Sequence, residues 1–233
     1  MRKLLALLAL MMFVFPACSS AQKLSPEEQF KKSYPKHAYE SFTSTSIKGL
    51  YEVYNGRQIY YYLPDSDVVF YGSVVTKDGV NLTRESHMKK MALKMESLPL
   101  EKALKVGHGK TIVVKFTDPN CPYCRRGFEF FDRLKDDVTT YVFFLPLSAD
   151  SERKIQHILC AKDRVVAYED VFRGKFDQKA PLDLCDSPEV LDTMKMHREL
   201  AVSLGVRATP LFYIKGQIVD GFDPPVIEKL FKE

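Results

Sequence analysis

The chain has 233 residues, of which 45% are apolar, and its formal charge is +4 at neutral pH. This length allows one large domain or two small ones, and the apolar content is sufficient for a buried core. The positive charge is small and evenly spread along the sequence, so nucleic acid is not a predicted partner.

The amino terminus is predicted to be a targeting segment. Arg2 and Lys3 precede an apolar run over residues 4–15, which is too short to span a bilayer. The small residues 19–21 predict cleavage before Gln22, so that residues 1–21 form a signal peptide. The alternative is lipoprotein processing, in which Cys18 becomes a lipidated terminus. Both alternatives place the mature protein outside the cytoplasm, where disulfides persist.

Residues 22–82 are predicted to form a small α+β domain. Ser25 and Pro26 are typical of the cap and first turn of a short helix. Asn55-Gly56 is a strong hairpin signal. Three antiparallel strands are predicted over residues 50–54, 58–63 and 68–75. A sheet of this size is marginal on its own, and its many aromatic residues suggest packing both within a local core and across a subunit boundary.

A linker helix is predicted next, over residues 83–108. Thr83 is a suitable cap, and the apolar residues Met88, Met91 and Met95 recur at helical spacing. The helical pattern extends to about Lys105, although Pro99 must bend or interrupt it. We interpret the methionine stripe as packing on a neighbouring domain.

Residues 109–233 alternate between strand and helix patterns. The predicted order is strand (112–117), helix, strand (139–145), a helical stretch (151–172), a helix opening at Ser187, two strands (211–214 and 217–220) and a closing helix. A β-α-β unit followed by helices and an α-β-β-α unit predicts an α/β thioredoxin fold with a helical insertion.

The strongest chemical signal is the pair Cys121 and Cys124. Cys121 lies where a buried strand turns into a helix, and the free N–H groups and dipole of a helix N-terminus favour a thiolate there. Cys124 follows one helical turn later. This spacing between a strand and a helix indicates a redox-active C-x-x-C site.

A zinc site is the alternative interpretation of two closely spaced cysteines. It requires a second pair of ligands, but Cys160 and Cys185 are isolated and the histidines show no i, i+4 pairing. We therefore predict neither metal nor cofactor. With Cys18 set aside, four cysteines allow three pairings, and the C-x-x-C context favours Cys121 with Cys124.

Several short segments occur in an order that resembles the bacterial periplasmic disulfide isomerases of the DsbC/DsbG type. They are Phe116-Thr117-Asp118 leading to Cys121-Pro122-Tyr123-Cys124, Cys160-Ala161-Lys162-Asp163, Leu204-Gly205-Val206 with Ala208-Thr209-Pro210, and Gly221-Phe222 with Pro224-Pro225. The resemblance covers essentially the whole mature chain.

This resemblance implies a V-shaped homodimer formed by the amino-terminal domains. It implies that Thr209 precedes a cis Pro210 facing the redox pair, and that Cys160 and Cys185 form a structural disulfide as in the C-type proteins. Thr209 and Pro210, together with the intervening dipeptide Pro122-Tyr123, are the predicted substrate contacts. The Pro122-Tyr123 dipeptide resembles the one in G-type proteins and glutaredoxins and not the one in C-type proteins. The resemblance therefore does not indicate a redox potential.

The function implied is isomerisation or reduction of non-native disulfides in exported proteins, with chaperone activity. The implied partners are misfolded clients, a second copy of the chain and an inner-membrane thiol reductase of the DsbD type. Two alternatives remain: a reductase that protects single cysteines from oxidation, and a non-enzymatic assembly chaperone.

Two cations are candidates for tuning the redox pair. Lys115 lies on the strand that leads to Cys121, at a position where thioredoxins carry a buried acid. Arg125 directly follows Cys124. A positive charge near the site would favour the Cys121 thiolate and make the disulfide more oxidising. The alternative for Lys115 is that its side chain reaches solvent.

Overall fold

The structure is a computed structural model that describes residues 24–178 and 180–232. The predicted signal peptide and the predicted lipid attachment at Cys18 lie outside these residues. Among the helices in the described part of the chain, none has the length and apolar character needed to cross a membrane.

The amino-terminal domain contains one helix and a four-stranded antiparallel sheet. Helix α1 (Pro26–Ser33) begins at a capping box in which Ser25 and Glu28 bond each other's backbone N–H groups. The strands, in spatial order, are β1 (Ser41–Ser44), β2 (Tyr51–Tyr54), β3 (Ile59–Leu63) and β4 (Val68–Phe70). Strand β1 was not predicted because its four residues include one apolar side chain, and its pairing with β2 is what defines it.

The aromatic residues of this domain fill cores on both faces of the sheet. Phe30 from α1 packs on Val53, Tyr60 and Tyr62. Tyr61, on the opposite face, bonds the Thr83 hydroxyl at 2.5 Å. The local part of the predicted aromatic packing is therefore present within one chain.

The predicted linker helix is shorter than expected. Helix α2 spans Leu82–Met95 and is capped by Asn81, whereas the Thr83 hydroxyl accepts the Val74 N–H instead. A 3-10 turn follows at Leu100–Lys102, and then strand β5 at Leu104–Val106. The prediction of helix to Lys105 was wrong, because Pro99 stops the helix and the next residues pair with a strand of the second sheet.

The carboxy-terminal domain is built on a five-stranded mixed sheet with the order β5-β7-β6-β8-β9. The remaining strands are β6 (Thr111–Thr117), β7 (Val138–Phe144), β8 (Leu211–Ile214) and β9 (Gln217–Asp220). Strands β6 and β7 are parallel and are joined by helix α3 (Pro122–Asp132), while β8 is antiparallel to β6. The predicted thioredoxin-like architecture is confirmed.

Four further helices surround this sheet. They are α4 (Ala149–Cys160), α5 (Arg164–Phe172), α6 (Pro188–Leu204) and α7 (Pro224–Lys232). The helical stretch predicted over residues 151–172 divides because Asp163 caps a new helix. Helix α6 ends at Leu204, and Gly205, whose φ is +78°, provides the left-handed cap.

Candidate active site

The redox pair occupies the first turn of α3. Cys121 is the N-cap residue and Pro122 occupies the first turn, where its missing N–H costs no helical hydrogen bond. Cys121 is half-buried, Cys124 is buried, and both are thiols. The two cysteines therefore differ in their access to solvent, and Cys121 is the more accessible.

The loop before β8 covers the pair from the other side. The Thr209–Pro210 peptide bond is cis, and the Cys121 thiol donates to the Thr209 carbonyl with a sulfur–oxygen distance of 3.4 Å. The pairing of β8 with β6 brings these residues, distant in sequence, against the active-site turn. Thr209 and Pro210 thus lie where the resemblance implied.

Cys124 is held in a largely apolar setting. The buried hydroxyls of Thr117 and Thr209 lie against its sulfur and have no other hydrogen-bond partner within the described residues. The Asp118 N–H approaches the same sulfur at 3.4 Å. Burial nevertheless dominates and raises the pKa of Cys124 to about 12. Cys124 therefore rests as a thiol.

Lys115 lies inside the domain, beneath Cys124. Only 3% of its surface is exposed, and its Nζ donates to the Tyr168 hydroxyl at 2.7 Å. Burial lowers the pKa of Lys115 to about 7, against a smaller opposing effect from Cys124. The side chain does not reach solvent, so the alternative of an exposed lysine was wrong.

A buried carboxylate organises the turn that carries Cys121. Asp118 Oδ1 accepts the N–H groups of Asn120 at 2.6 Å and Cys121 at 3.1 Å, and the Ser151 hydroxyl at 3.0 Å. Its other oxygen accepts the Leu147 N–H at 2.7 Å. One side chain thereby joins the active-site turn, the end of β7 and the start of α4.

A second set of charges ties the same turn to the insertion. Lys154, which is 4% exposed, donates to Asn120 Oδ1 and Asp177 Oδ1, both at 2.8 Å. Arg125 forms two bonds to the Asp177 carboxylate, at 2.6 and 2.8 Å, and its Nε donates to the Pro119 carbonyl. The positive charge of Arg125 is thus directed at Asp177, and the pair lowers the pKa of that carboxyl well below its usual range.

The other predicted residues lie outside this cluster. Tyr123 is 56% exposed beside the redox pair, and the Arg126 guanidinium lies 5.4 Å from its ring centroid. Cys160 and Cys185 form a disulfide at the end of α4, with Cα atoms 5.8 Å apart.

The sequence analysis assigned no role to five polar residues of the site: Asp118, Ser151, Lys154, Tyr168 and Asp177. One signal was available, because Ser151, Lys154 and Ile155 fall on the buried face of α4. A lysine within an apolar helical stripe indicates a buried partner. The partner itself, 23 residues away, carried no such signal.

Comparison with known proteins identifies both domains. The family described as "Disulfide bond isomerase protein N-terminal domain" matches residues 17–84, and "Thioredoxin-like domain" matches residues 98–228. A "Probable thiol:disulfide interchange protein DsbC" from Bordetella pertussis is 32% identical over 217 residues, covering 88% of this chain and 74% of the relative. The chain belongs to the DsbC family.

Other relatives agree with this assignment. DsbC from Escherichia coli K12 is 29% identical over 194 residues, which cover 79% of this chain and 77% of the relative. A crystal structure of Proteus mirabilis ScsC is 25% identical with a TM-score of 0.51, and it covers 62% of this chain and 79% of its own. A DsbC-family protein with this site is a thiol–disulfide oxidoreductase. The amino-terminal domain supports a homodimer, and the family is consistent with a periplasmic location.

Proposed function

We propose that this DsbC-family protein isomerises non-native disulfides in exported proteins, with Cys121 as the nucleophile and Cys124 as the resolving thiol. The observation that carries the assignment is the difference between the two sulfurs. Cys121 is half-buried at a helix N-terminus beside the cis-proline loop, whereas Cys124 is buried and held as a thiol. A client disulfide reaches the first sulfur before the second.

The reaction is thiol–disulfide exchange. The Cys121 thiolate attacks one sulfur of a client disulfide, which forms a mixed disulfide and releases the other client sulfur as a thiolate. That thiolate attacks a second disulfide within the client. A further exchange then returns Cys121 as a thiolate, so isomerisation consumes no electrons overall.

Cys124 releases the client when the client disulfides do not rearrange. Its thiol loses a proton, its sulfur attacks Cys121, and the client leaves as a reduced thiolate. The protein now holds a Cys121–Cys124 disulfide, and two electrons must return to it before another cycle. An inner-membrane reductase of the DsbD type fits this requirement.

Client contact is assigned to residues around the redox pair. Tyr123 presents an exposed ring beside Cys121, next to Pro122 at the helix start. Thr209 and Pro210 form the opposite wall. Two copies joined through their amino-terminal domains would place two such sites around one client, which is the basis proposed for chaperone activity.

Refolding of a scrambled protein with several disulfides tests this function. We expect wild-type protein to restore client activity and Cys121→Ala to restore none. The Cys124→Ala variant should accumulate mixed disulfides with the client, visible as a mass shift after acid quenching. Equal trapping by Cys121→Ala would contradict the assigned roles.

The same assay separates the alternative functions. A protein that reduces a mixed disulfide on a single cysteine but does not reactivate the scrambled client is a protective reductase. A protein whose Cys121→Ala variant still prevents client aggregation and supports refolding is an assembly chaperone.

A further inference from the structure

A cavity of about 450 Å³ lies where the two domains meet. The amino-terminal domain contributes the turn between β2 and β3, helix α2 contributes one face, and the second domain contributes the loop between α6 and β8. The volume falls within the range of pockets that bind ligands, about 300–1,000 Å³. The exchange reaction of Cys121 and Cys124 leaves this cavity without a role.

Direct contacts between the two domains enclose the cavity. Arg84 of α2 donates to the carboxylate of Asp220, at the end of β9, at 3.0 Å. His87, one turn further along α2, contacts the Arg57 carbonyl at 3.3 Å. Gly205 lies against the same imidazole, because a Cβ at this position would be 3.4 Å from two of its ring atoms. These contacts hold the hairpin, α2 and the loop after α6 around one space.

The cavity has an excess of positive charge. Three arginines line it, Arg57, Arg84 and Arg207, whereas the described residues contribute one carboxylate, that of Asp220. Asp220 is already paired with Arg84. Arg57 and Arg207 are exposed, and neither forms an ion pair with another described residue. Two guanidinium groups are therefore free to bind carboxylates, which match their planar geometry.

The lining also has an apolar part. Its members come from β3, α2 and the loop before β8, and they are Ile59, Met88, Met91, Val206 and Leu211. Methionine side chains adapt to ligands of different shape. A ligand that carries both carboxylates and an apolar group therefore matches the cavity better than a simple anion does.

The position of the cavity connects it to the redox pair. Arg207 and Ala208 line the cavity and directly precede Thr209, whose carbonyl accepts a hydrogen bond from the Cys121 thiol at 3.4 Å. An extended chain advances about 3.3–3.6 Å per residue, so a client held at Cys121 reaches the cavity within about three residues. A client segment in the cavity therefore belongs to the same stretch of chain as the cysteine under attack.

We propose that the cavity binds an acidic segment of the client polypeptide, about three residues from the cysteine that Cys121 attacks. This site rests on the proposed function and gives it a preference among client cysteines. Carboxylates of the segment pair with Arg57 and Arg207, and a neighbouring apolar side chain contacts Met88 and Leu211. Binding raises the local concentration of such cysteines at the nucleophile, so cysteines flanked by acidic residues react first.

Peptides that carry one cysteine as a 2-thiopyridyl disulfide test this site with the reduced, full-length protein. Attack by Cys121 on the peptide sulfur forms a mixed disulfide and releases 2-thiopyridone, which is followed by its absorbance. The first peptide carries the segment Asp-Leu-Asp about three residues from its cysteine, and the second has Asn-Leu-Asn there. The third has the composition of the first, with the acidic segment moved to the far end of the peptide.

The expected result is a preference that depends on charge and on position. At low salt the first peptide should react about fivefold faster than the second, the size expected from partly exposed ion pairs. The third peptide should show no comparable gain. The acidic segment precedes the cysteine in one series and follows it in another, and the preference is expected in at least one of them. Equal rates for the first two peptides in both series would overturn the inference.

Charge variants connect the preference to the cavity. The ratio of the two rates is measured within each protein, so a general change in the reactivity of Cys121 cancels. Arg57→Gln/Arg207→Gln should bring the ratio close to one, and Arg207→Glu should bring it below one. The matched control, Lys31→Gln/Lys195→Gln, removes one exposed charge from each domain outside the cavity and should retain the wild-type ratio. Equal loss of preference in the control would overturn the inference.

Binding without chemistry separates this inference from the proposed function. Serine replaces the peptide cysteine, and the anisotropy of a fluorescent label reports binding. Wild type should bind the acidic peptide about fivefold more tightly than the Asn-Leu-Asn peptide, and Arg57→Gln/Arg207→Gln should lose the difference. Equal binding of both peptides by wild type would overturn the inference. Tighter binding of the acidic peptide without release of 2-thiopyridone would support the cavity and contradict Cys121 as the nucleophile.

Discussion

Two buried lysines next to the active site differ in their surroundings. Lys154 is surrounded by acceptors from Asn120 and Asp177, so its charge is compensated. Lys115 has one neutral hydroxyl and two aromatic faces. The first arrangement stabilises an ammonium, whereas the second disfavours it and lowers the pKa of Lys115 to about 7.

We predict that Lys115→Met raises the free energy of unfolding, and more at low pH than at high pH. The folded-state pKa of Lys115 is about 7, below its unfolded value, so the unfolded chain binds more protons between those two values. Wild-type stability is therefore penalised fully below the folded pKa, and the penalty disappears as pH rises toward about 10. Urea unfolding at several pH values measures this. An equal gain across the range would contradict the neutral amine.

Asp177 is predicted to stabilise the fold, whereas Lys115 destabilises it, and both effects make the stability of the wild type rise with pH, the Asp177 effect in the acid range. Its hydrogen bonds to Arg125, supported by Lys154, hold the pKa of Asp177 below its unfolded value, so it stabilises the fold above about pH 4. This contribution is lost as pH falls through the folded pKa. Asp177→Asn should lower stability at neutral pH and flatten the acid limb of the stability curve. Asp170→Asn, on an exposed ion pair with Lys175, is the matched control.

At the scale of elements, hydrogen bonds and ion pairs connect the helical insertion to the turn that carries the redox pair. Ser151 and Lys154 on α4 bond Asp118 and Asn120, and Asp177 after α5 bonds Arg125. The disulfide joins Cys160 and Cys185, which are 25 positions apart in the sequence, and so closes a loop that contains α5. A change in the insertion is therefore transmitted to the loop that presents Cys121.

Removing that disulfide is predicted to destabilise the domain without removing its redox chemistry. The double variant Cys160→Ala/Cys185→Ala should lose about 3.5 kcal/mol of unfolding free energy, the value expected from loop closure. Alkylation of wild type after mild reduction should detect two thiols, those of Cys121 and Cys124. Cys121→Ala is the control with little change in stability. Rapid alkylation of all four cysteines would show that the bridge is not structural.

At the scale of the whole molecule, α2 belongs to the catalytic core as well as to the connection between domains. Met91, Met95 and Leu98 pack with Phe116 and Phe143 of the second sheet. On its other side, Lys90 of α2 bonds Glu52 of the amino-terminal sheet at 3.3 Å. The helix thus contacts both domains, and its buried residues are Met91 and Met95.

This packing predicts which segments of the chain are needed for the second domain to fold. A chain starting at Asn81 keeps α2 and β5, and should be a folded monomer that reduces disulfides but isomerises poorly. A chain starting at Lys105 loses α2 and part of β5, and should be less stable because it exposes the Met91–Leu98 contact surface. Sedimentation velocity and insulin reduction measure both. Full-length protein that sediments as a monomer at micromolar concentration would contradict the proposed dimer.

The sequence by itself determined the features that depend on neighbouring residues. Cys121 as helix cap with Pro122 after it, the Asn55-Gly56 hairpin and the Gly205 cap each follow from local backbone preferences. Apart from β1 and β5, the order of strands and helices followed from hydrophobic periodicity. These preferences depend on a few neighbouring residues, so they can be recognised from the amino-acid sequence alone.

Tertiary structure alone decided the surroundings of the reactive sulfurs. The burial of Lys115 follows from cover on both faces of β6, and its contact with Tyr168 joins residues 53 positions apart. The contact between Lys154 and Asp177 spans 23 positions, and strand β5 exists because β7 supplies its partner. Such contacts depend on how elements pack, and a charged residue in a strand has the same sequence signature whether it reaches solvent or lies beneath a thiol.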